Sequence, residues 1–292
     1  MELMIVSLLL ILVAMLRLTG SRCADLDMEE HRSSGLGARL EEFLEQDRFV
    51  LLIQPVVDLH TGRVCCGEVL TRLDHPERGL VSPGEFIPAI DAAGLHARFD
   101  RYVFEKACAW LSGSLAEGDA LEHLSCNFSR KTICDDTLAG DLIAIADRCG
   151  LPRGKLAIEI TEWQAETDCD QFHRTLQQLK AGGFRIFLDD YGSGATSVKD
   201  LMRYPLDVVK TDGSILLEAE TERGRAAYRA LVAMAAEVGA EVTCEGIETE
   251  AQWLVARESG CRYGQGYLFC RPMDPAMAHN MMGQHHFHPE ET

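Results

Sequence analysis

Apolar runs with strand character alternate with segments of helical periodicity from Phe49 onward. Eight such runs lie at residues 49–59, 63–73, 124–129, 156–162, 185–190, 208–212, 241–247 and 264–269. Runs that alternate with helical segments are typical of a parallel barrel rather than of a β-sandwich. The pattern therefore predicts an α/β fold of the (β/α)8 TIM type, whose usual length of about 250 residues also fits this chain.

The connection between the first two runs departs from an ideal barrel. Only His60, Thr61 and Gly62 separate them, which is a turn-length connection rather than a crossover. We therefore expect an antiparallel first strand. Helices are predicted at residues 83–111 with a break near Gly94, and at 136–149, 168–181, 221–238 and 250–259, after a short amphipathic helix at 40–49.

The first 20 residues form a hydrophobic segment. Residues 3–16 carry no charge, but at ~1.5 Å per residue they would make a helix of only ~21 Å, shorter than a ~30 Å hydrocarbon core. Snorkelling of Arg17 would extend the segment to residue 20. The interpretations left open are a membrane anchor, a truncated or misassigned start, and a cleaved secretory signal. We favour an inner-membrane anchor, because Arg17 and Arg22 lie on the flank that would remain cytoplasmic.

These features divide the chain into four parts. Residues 1–20 are the hydrophobic segment, 21–38 a polar linker, 39–275 a cytoplasmic catalytic barrel, and 276–292 a helix end followed by a tail. The tail carries His285, His286 and His288, which we interpret as part of an unstructured terminus rather than as a metal site.

Charge and cysteine content narrow the functional classes. The chain has 28 Lys and Arg against 46 Asp and Glu, a net charge of −18, which excludes a nucleic-acid polymer as the expected partner. A phosphate-bearing substrate would therefore need local positive charge, from metal ions or from placed cationic side chains. The 11 cysteines include no Cys-x-x-Cys pair, so we expect reduced, mostly buried thiols. The neighbours Cys65 and Cys66 should point to opposite faces of a strand.

Polar residues recur on one predicted strand after another, from the second to the eighth. They are Glu68, Asn127, Glu159, Asp189, Asp190, Lys210, Glu245 and Gln265. Parallel barrel strands deliver their carboxyl ends to one face, so these side chains should converge at one mouth. Carboxylate and amide oxygens without Cys or His favour Mg²⁺ or Mn²⁺ over zinc. The pair Asp189 and Asp190 suggests two ions that share one carboxylate, an arrangement suited to activating water for attack on a phosphodiester.

Short motifs around these residues resemble the EAL phosphodiesterase family, in order and spacing, from about Leu40 to Met273. They read Gln54-Pro55-Val56-Val57-Asp58, Glu68-Val69-Leu70-Thr71-Arg72, Asn127-Phe128-Ser129, Glu159-Ile160-Thr161-Glu162, Asp189-Asp190-Tyr191-Gly192-Ser193-Gly194, Lys210-Thr211-Asp212, Glu245-Gly246-Ile247-Glu248-Thr249 and Gln265-Gly266-Tyr267-Leu268-Phe269. The resemblance implies a phosphodiesterase that opens cyclic di-GMP to linear pGpG with two Mg²⁺ or Mn²⁺ ions. It also implies a homodimer.

The resemblance further implies a role for each matching position. The implied ligands of the first metal ion are Glu68, Asn127, Glu159 and Asp189, with Asp189 bridging to a second ion held by Asp190. Glu245 and Gln265 resemble groups that hold water and substrate near the second ion. Lys210 resembles the lysine that positions or helps to deprotonate the attacking water. Gln54 and Arg72 would contact the dinucleotide, and Glu162 would brace the loop that follows Asp190.

Three positions depart from the family pattern. Val69 replaces the usual Ala of the signature, Tyr191 replaces a usual Phe, and Ala195 stands where an aromatic residue is usual. The last two changes affect the loop and leave the implied metal ligands complete. Two alternatives to the hydrolase stay open: a receptor that binds cyclic di-GMP without cleaving it, and an unrelated Mg²⁺-dependent barrel enzyme. A receptor would usually have lost a metal ligand or the lysine, and this sequence retains them.

Overall fold

The computed structural model describes residues 36–161, 170–192, 198–282 and 285–287. They form two compact units: one contains the described residues up to Arg48 together with Leu73–Leu95, and the other contains Phe49–Arg72 together with the described residues from His96 onward. Within these ranges, no helix is long and apolar enough to cross a bilayer. The hydrophobic segment 3–20, Glu162 and Ala195 lie outside the described residues.

The strands form a closed barrel. In chain order they are β1 Phe49–Asp58, β2 Val64–His75, β3 Gly79–Val81, β4 His123–Phe128, β5 Leu156–Ile160, β6 Arg185–Tyr191, β7 Val208–Thr211, β8 Glu241–Cys244 and β9 Tyr263–Gly264. Their order is β1-β9-β8-β7-β6-β5-β4-β2, and a further β1–β2 pairing closes the ring. Strand β1 is antiparallel to β9, whereas β2 and β4 to β9 run parallel. The predicted TIM-type barrel with an antiparallel first strand is confirmed.

Helices occupy the predicted connections between the parallel strands. They are α1 Leu40–Glu45, α2 Pro83–Ala92, α3 His96–Ala116, α4 Arg130–Ile133, α5 Leu138–Arg148, α6 Asp170–Ala181, α7 Val198–Arg203, α8 Gly213–Glu218, α9 Glu222–Glu237, α10 Glu250–Glu258 and α11 Pro275–His279, with a 3₁₀ turn at Arg153–Lys155. The predicted break near Gly94 is present, because Gly94 adopts a left-handed conformation with φ of 68° between α2 and α3.

Two strands differ from the sequence pattern. Strand β3, which pairs with the end of β2, was not predicted. The eighth predicted run, residues 264–269, is wrong in extent because the strand stops at Gly264. Beyond it the chain turns, with the amide groups of Phe269 and Cys270 donating to the carbonyl of Gly266. A Cβ at Gly266 would lie 2.1 Å from the carbonyl oxygen of Ile247, so this turn requires glycine.

Side chains from non-adjacent strands pack against one another at the amino-terminal end of the barrel. The His123 ring on β4 lies 5.0 Å from the Phe187 ring on β6 and 5.6 Å from the Tyr263 ring on β9, both edge to face. Because these strands are not neighbours, the contacts cross the interior. Arg185 donates to Glu241 at 2.8 Å beside them. The barrel is therefore packed closed below the rim, which leaves the carboxyl ends of the strands as the open end.

The neighbouring cysteines do not diverge as strand alternation predicts. The Cys65 and Cys66 sulfur atoms lie 3.4 Å apart, and the Cys66 sulfur lies 3.3 Å from His123 Nδ1. Both thiols are fully buried, and burial raises the pKa of Cys66 well above its usual value. The nine cysteines in the described part of the chain are free thiols.

The carboxyl-terminal tail is ordered at residues 285–287, so its interpretation as unstructured is wrong there. The Phe287 amide donates to the carbonyl of Gly62, and the Val64 amide donates to the carbonyl of His285. Gly62 has φ of 73°, and a Cβ on it would lie 2.3 Å from the Phe287 carbonyl oxygen. The tail thus adds backbone pairing to the β1–β2 turn at a place where a side chain would clash.

A buried carboxyl group supports the turn after β4. Asp100 of α3 accepts hydrogen bonds from the Ser129 amide at 2.9 Å and the Thr132 hydroxyl at 2.5 Å. Burial, partly opposed by these hydrogen bonds, raises the pKa of Asp100 to about 7. The folded protein therefore holds this proton over a pH range in which the unfolded chain releases it.

We predict that Asp100→Asn changes the pH dependence of stability. From about pH 4 to about pH 7 the parent loses stability relative to the variant, by at most about 1.4 kcal/mol per pH unit, because only the folded parent keeps the proton. Urea denaturation from pH 4 to pH 8 measures the difference. The exposed Asp136→Asn is the matched control, and a constant parent-minus-variant difference across this range would contradict the assignment.

Candidate active site at the rim of the barrel

The side chains predicted at strand ends do meet at the carboxyl end of the barrel. Asn127, Glu159 and Lys210 are each the last residue but one of a strand, and Glu245 and Gln265 directly follow β8 and β9. Asn127 and Glu159 are direct partners in the β4–β5 ladder. Glu68 is the exception, because it is the fifth residue of the long strand β2.

Lys210 lies among four carboxylates from four other parts of the barrel. Its Nζ atom lies 2.8 Å from a Glu245 oxygen, 3.1 Å from oxygens of Glu68 and Asp189, and 3.2 Å from a Glu159 oxygen. The Lys210 side chain is 3% exposed and that of Glu159 1%. Because buried like charges repel strongly, the ammonium group holds together side chains that would otherwise separate.

The carboxyl groups respond differently to this crowding. Burial opposes ionisation of Glu68, but the Lys210 charge and hydrogen bonds from neighbouring amides outweigh it and lower the pKa of Glu68. Burial and the Glu68 charge raise the pKa of Glu159 well above its usual value. Burial likewise raises the pKa of Glu245 to about 8, against the attraction of Lys210. Burial disfavours the Lys210 cation, yet the surrounding carboxylates raise its pKa well above 10.5.

Glu68 and Glu159 also differ in the hydrogen bonds that they accept. The Asn127 amide donates to one Glu68 oxygen and the Gln265 amide to the other, each at 2.8 Å. Neither Glu159 oxygen accepts a hydrogen bond from any described residue, nor does Asp189 Oδ1, although two of these atoms lie near Lys210 Nζ. Buried acceptors without donors are rare in proteins, so these oxygens mark a place for a cation.

A break in strand regularity brings Asp189 and Asp190 together. Successive residues of a regular strand point to opposite faces, but the β6–β7 register shifts between Leu188 and Tyr191, and Asp190 has a positive φ of 56°. As a result, carboxylate oxygens of Asp189, Asp190 and Glu245 all lie within 4.8 Å of one another. Left-handed backbone at a non-glycine residue is strained, and such strain clusters at functional sites.

A pocket of about 260 Å³ opens onto this cluster. Glu68, Glu245 and Gln265 line it from within, and Gln54, which is buried and donates to the Cys270 carbonyl at 3.3 Å, lines its side. Arg72 is half-buried, and its guanidinium group donates to the carbonyl of Thr71. It is not among the residues lining this pocket, so the structure brings Gln54 but not Arg72 to the opening.

Four pocket-lining residues were not assigned a role from the sequence. Glu248 and Tyr267 reach the opening from the segments after β8 and β9, and Gly246 and Gly266 form part of its wall. Tyr267 is 51% exposed, and the Arg271 guanidinium lies 4.0 Å from its ring centroid. These four residues lie two to four residues beyond the observed ends of β8 and β9, and their place within the motifs that carry the family resemblance was the signal available in the sequence.

The donor set fits hard divalent cations. Four carboxylates lie within 3.2 Å of the Lys210 ammonium group, Asp190 lies beside two of them, and the remaining donors, Asn127 and Gln265, are amides. Oxygen ligands of this kind suit Mg²⁺ and Mn²⁺, and the acceptors without hydrogen bonds would gain a partner. Glu68, Asn127, Glu159, Asp189 and Asp190 are the residues that could hold such ions.

Known proteins resemble this chain in sequence and structure. The family model described as EAL domain matches residues 38–272. The cyclic di-GMP phosphodiesterase NbdA of Pseudomonas aeruginosa is 30% identical over 264 residues, which are 90% of this chain and 33% of NbdA. The chain therefore spans about a third of the length of that relative.

Two solved structures share the fold. The PaMucR phosphodiesterase in complex with c-di-GMP superposes with a TM-score of 0.77 at 32% identity, covering 84% of this chain and 99% of that one. The FimX EAL domain from Pseudomonas aeruginosa bound to c-di-GMP gives a TM-score of 0.75 at 25% identity, covering 82% and 96%.

We predict that Lys210→Met destabilises the protein when divalent ions are absent. Breaking one side of a buried ion pair costs about 3–5 kcal/mol, and here four carboxylates would lose their cation. Urea denaturation in EDTA at pH 8 measures the loss, with the exposed Lys131→Met as control. Added Mn²⁺ should stabilise Lys210→Met more than the parent. Equal stability of the two in EDTA would contradict the role given to Lys210.

Proposed function

This chain belongs to the EAL-domain family, and we propose that it hydrolyses one phosphodiester bond of cyclic di-GMP to give linear pGpG. The observation that carries the proposal is the convergence of Glu68, Glu159, Asp189 and Glu245 within 3.2 Å of Lys210 Nζ, beside a pocket at the barrel mouth. The names of similar proteins support the substrate class, because one is called a cyclic di-GMP phosphodiesterase and two were solved with c-di-GMP.

Two divalent ions, Mg²⁺ or Mn²⁺, are part of this proposal. We assign Glu68, Asn127, Glu159 and Asp189 to the first ion, and Asp190 to the second, with Asp189 shared between them. When bound, such ions neutralise phosphate charge and lower the pKa of a water molecule. The protein contributes preorganisation, because Glu68 is already held by two amide donors and Asp190 is already turned towards Asp189.

The remaining rim residues bind and orient. Lys210 is protonated in the described site, so it can donate hydrogen bonds to an attacking water while its charge attracts the phosphodiester. Glu245 and Gln265 line the pocket and can hold that water and the substrate. Gln54 offers an amide to the dinucleotide at the pocket wall. Arg72 would have to leave the Thr71 carbonyl to reach a phosphate.

The wider organisation is also a proposal. We propose a cytoplasmic barrel at residues 39–275, linked through 21–38 to an inner-membrane anchor at 1–20 and followed by the helix end and tail at 276–292. Glu162 would brace the loop after Asp190, with Ala195 weakening that loop. A homodimer completes this scheme, by analogy with the family.

A direct assay tests the function. Full-length protein with cyclic di-GMP and Mn²⁺ or Mg²⁺ should yield pGpG, followed by chromatography, and EDTA should stop the reaction. Cyclic di-GMP that binds but stays intact would support the receptor alternative and contradict hydrolysis. The absence of both binding and turnover would support an unrelated barrel enzyme.

We predict that Glu68→Ala abolishes turnover, because the site loses an anionic ligand and the acceptor for two amides and Lys210. Loss of partners around metal ligands costs about 10–100-fold in activity, so loss of a direct ligand should cost at least about 100-fold. Initial rates at saturating Mn²⁺ measure the effect, with the exposed Glu258→Ala as control. Activity within a few-fold of the parent would reject the ligand role.

A further inference from the structure

A buried arginine lies directly behind the proposed metal ligands. Arg130 begins helix α4, three residues after Asn127, and it is 3% exposed. A guanidinium group is costly to bury unless its donors are satisfied. Its burial next to the rim, rather than at the surface, therefore indicates that its hydrogen bonds have a structural role.

One end of the guanidinium group bonds to the next strand segment. Arg130 Nη1 donates to the Thr161 carbonyl at 2.8 Å. The β4–β5 ladder ends at the pair Phe128 and Ile160, so this bond lies just beyond the last backbone pairing. This side-chain hydrogen bond therefore adds one more link between the two ligand-bearing strands at the point where both end.

The other end of the guanidinium group is fixed between two helices. Arg130 Nη2 donates to the Tyr204 hydroxyl at 2.9 Å, immediately after α7. The group lies 4.2 Å from the Phe172 ring centroid of α6 and 5.7 Å from that of Tyr204. Aromatic faces attract guanidinium groups, so the side chain is held in one orientation.

The backbone that carries Arg130 is itself restrained. Ser129 caps helix α4, and its amide donates to the buried Asp100 of α3, as does the Thr132 hydroxyl. The turn after β4 is thereby anchored to α3, and Arg130 itself contacts α6 and the residue after α7. Displacement of Thr161 is therefore resisted by these three elements.

Glu159 is the ligand that depends most on such restraint. Asn127 is hydrogen-bonded to Glu68, and Glu68 is held by three donors. Neither Glu159 oxygen accepts a hydrogen bond from the described residues. Apart from its ion pair with Lys210 Nζ at 3.2 Å, the position of the Glu159 carboxylate therefore follows from its backbone among the described contacts, and Thr161 lies only two residues beyond it.

We propose that Arg130 is a positioning residue, which sets the spacing of Asn127 and Glu159 by tying the end of β5 to the turn after β4. This inference rests on the proposed function, because it assumes that these two side chains share a metal ion. Arg130 does not touch that ion. It acts through the backbone of Thr161.

Variants that remove one contact at a time test the proposal. Arg130→Met keeps an apolar stem between the rings of Phe172 and Tyr204 but loses the hydrogen bonds to the Thr161 carbonyl and the Tyr204 hydroxyl. Arg130→Lys keeps the charge but lacks the planar fork that fixes the orientation of the guanidinium group between Thr161 and Tyr204. Tyr204→Phe removes only the acceptor of Nη2. The exposed Arg148→Met is the matched control, since its pair with Glu105 lies at the surface.

The readout is the Mn²⁺ dissociation constant from titration calorimetry, at a temperature where every variant is folded. Partners that orient metal ligands contribute about 10–100-fold in affinity, so we expect a loss of that size in Arg130→Met and a smaller loss in Arg130→Lys. Tyr204→Phe and the control should stay within a few-fold of the parent. Thermal unfolding in EDTA measures any stability change separately.

Each outcome decides the proposal. An unchanged Mn²⁺ dissociation constant in Arg130→Met, with or without a lower unfolding temperature, would overturn the positioning role while leaving the proposed function intact. If Arg130→Met does not fold, Arg130→Gln takes its place, because its amide nitrogen falls two bonds short of the Nη1 position that reaches Thr161; parental affinity in Arg130→Gln would overturn the positioning role. Failure of the parent to bind Mn²⁺ would overturn the metal site itself, and this role with it.

Discussion

Repulsion among buried carboxylates is the constraint on which the rim of this barrel depends. Four acidic side chains, from three strands and from the residue after β8, approach one another in a poorly solvated space, and the Lys210 ammonium group is their shared counter-charge. One cation does not balance them all, as the raised pKa values of Glu159 and Glu245 indicate. The arrangement is therefore acceptor-rich, which is the property a site for divalent ions needs.

The fold satisfies this constraint by geometry. Parallel strands place polar residues at one end of the barrel. Pairing of β1 with both β9 and β2 closes the barrel, so the first and last strands contribute residues as well. Rigid packing of His123, Phe187 and Tyr263 below keeps the strand ends in place. Local irregularity then refines the site, because only the left-handed Asp190 lets two consecutive carboxylates approach the same neighbour. The regular strands bring the polar side chains to one end of the barrel, and the strained Asp190 adds a second carboxylate next to that of Asp189.

The sequence was most informative where a repeated physical pattern exists. Alternating runs predicted the barrel, and polar residues after them predicted the rim, because parallel strands leave few other arrangements. Tertiary effects lay beyond that reasoning: the short β9 follows from close contact of Gly266 with Ile247, and ordering of Phe287 depends on a turn more than 200 residues away. The convergence of Cys65 and Cys66 and the orientation of Arg72 depend on side-chain packing, which period-2 alternation does not describe.

We propose that oxygen atoms from separate parts of the barrel form one binding site for two divalent ions. Anomalous diffraction from crystals of the protein grown with Mn²⁺ would locate such ions. We expect two manganese peaks at the barrel mouth, one contacted by Glu68, Asn127 and Glu159 and one by Asp190, with Asp189 contacting both. Manganese bound only elsewhere, with Lys210 still in contact with Glu68, Glu159 and Asp189, would contradict it.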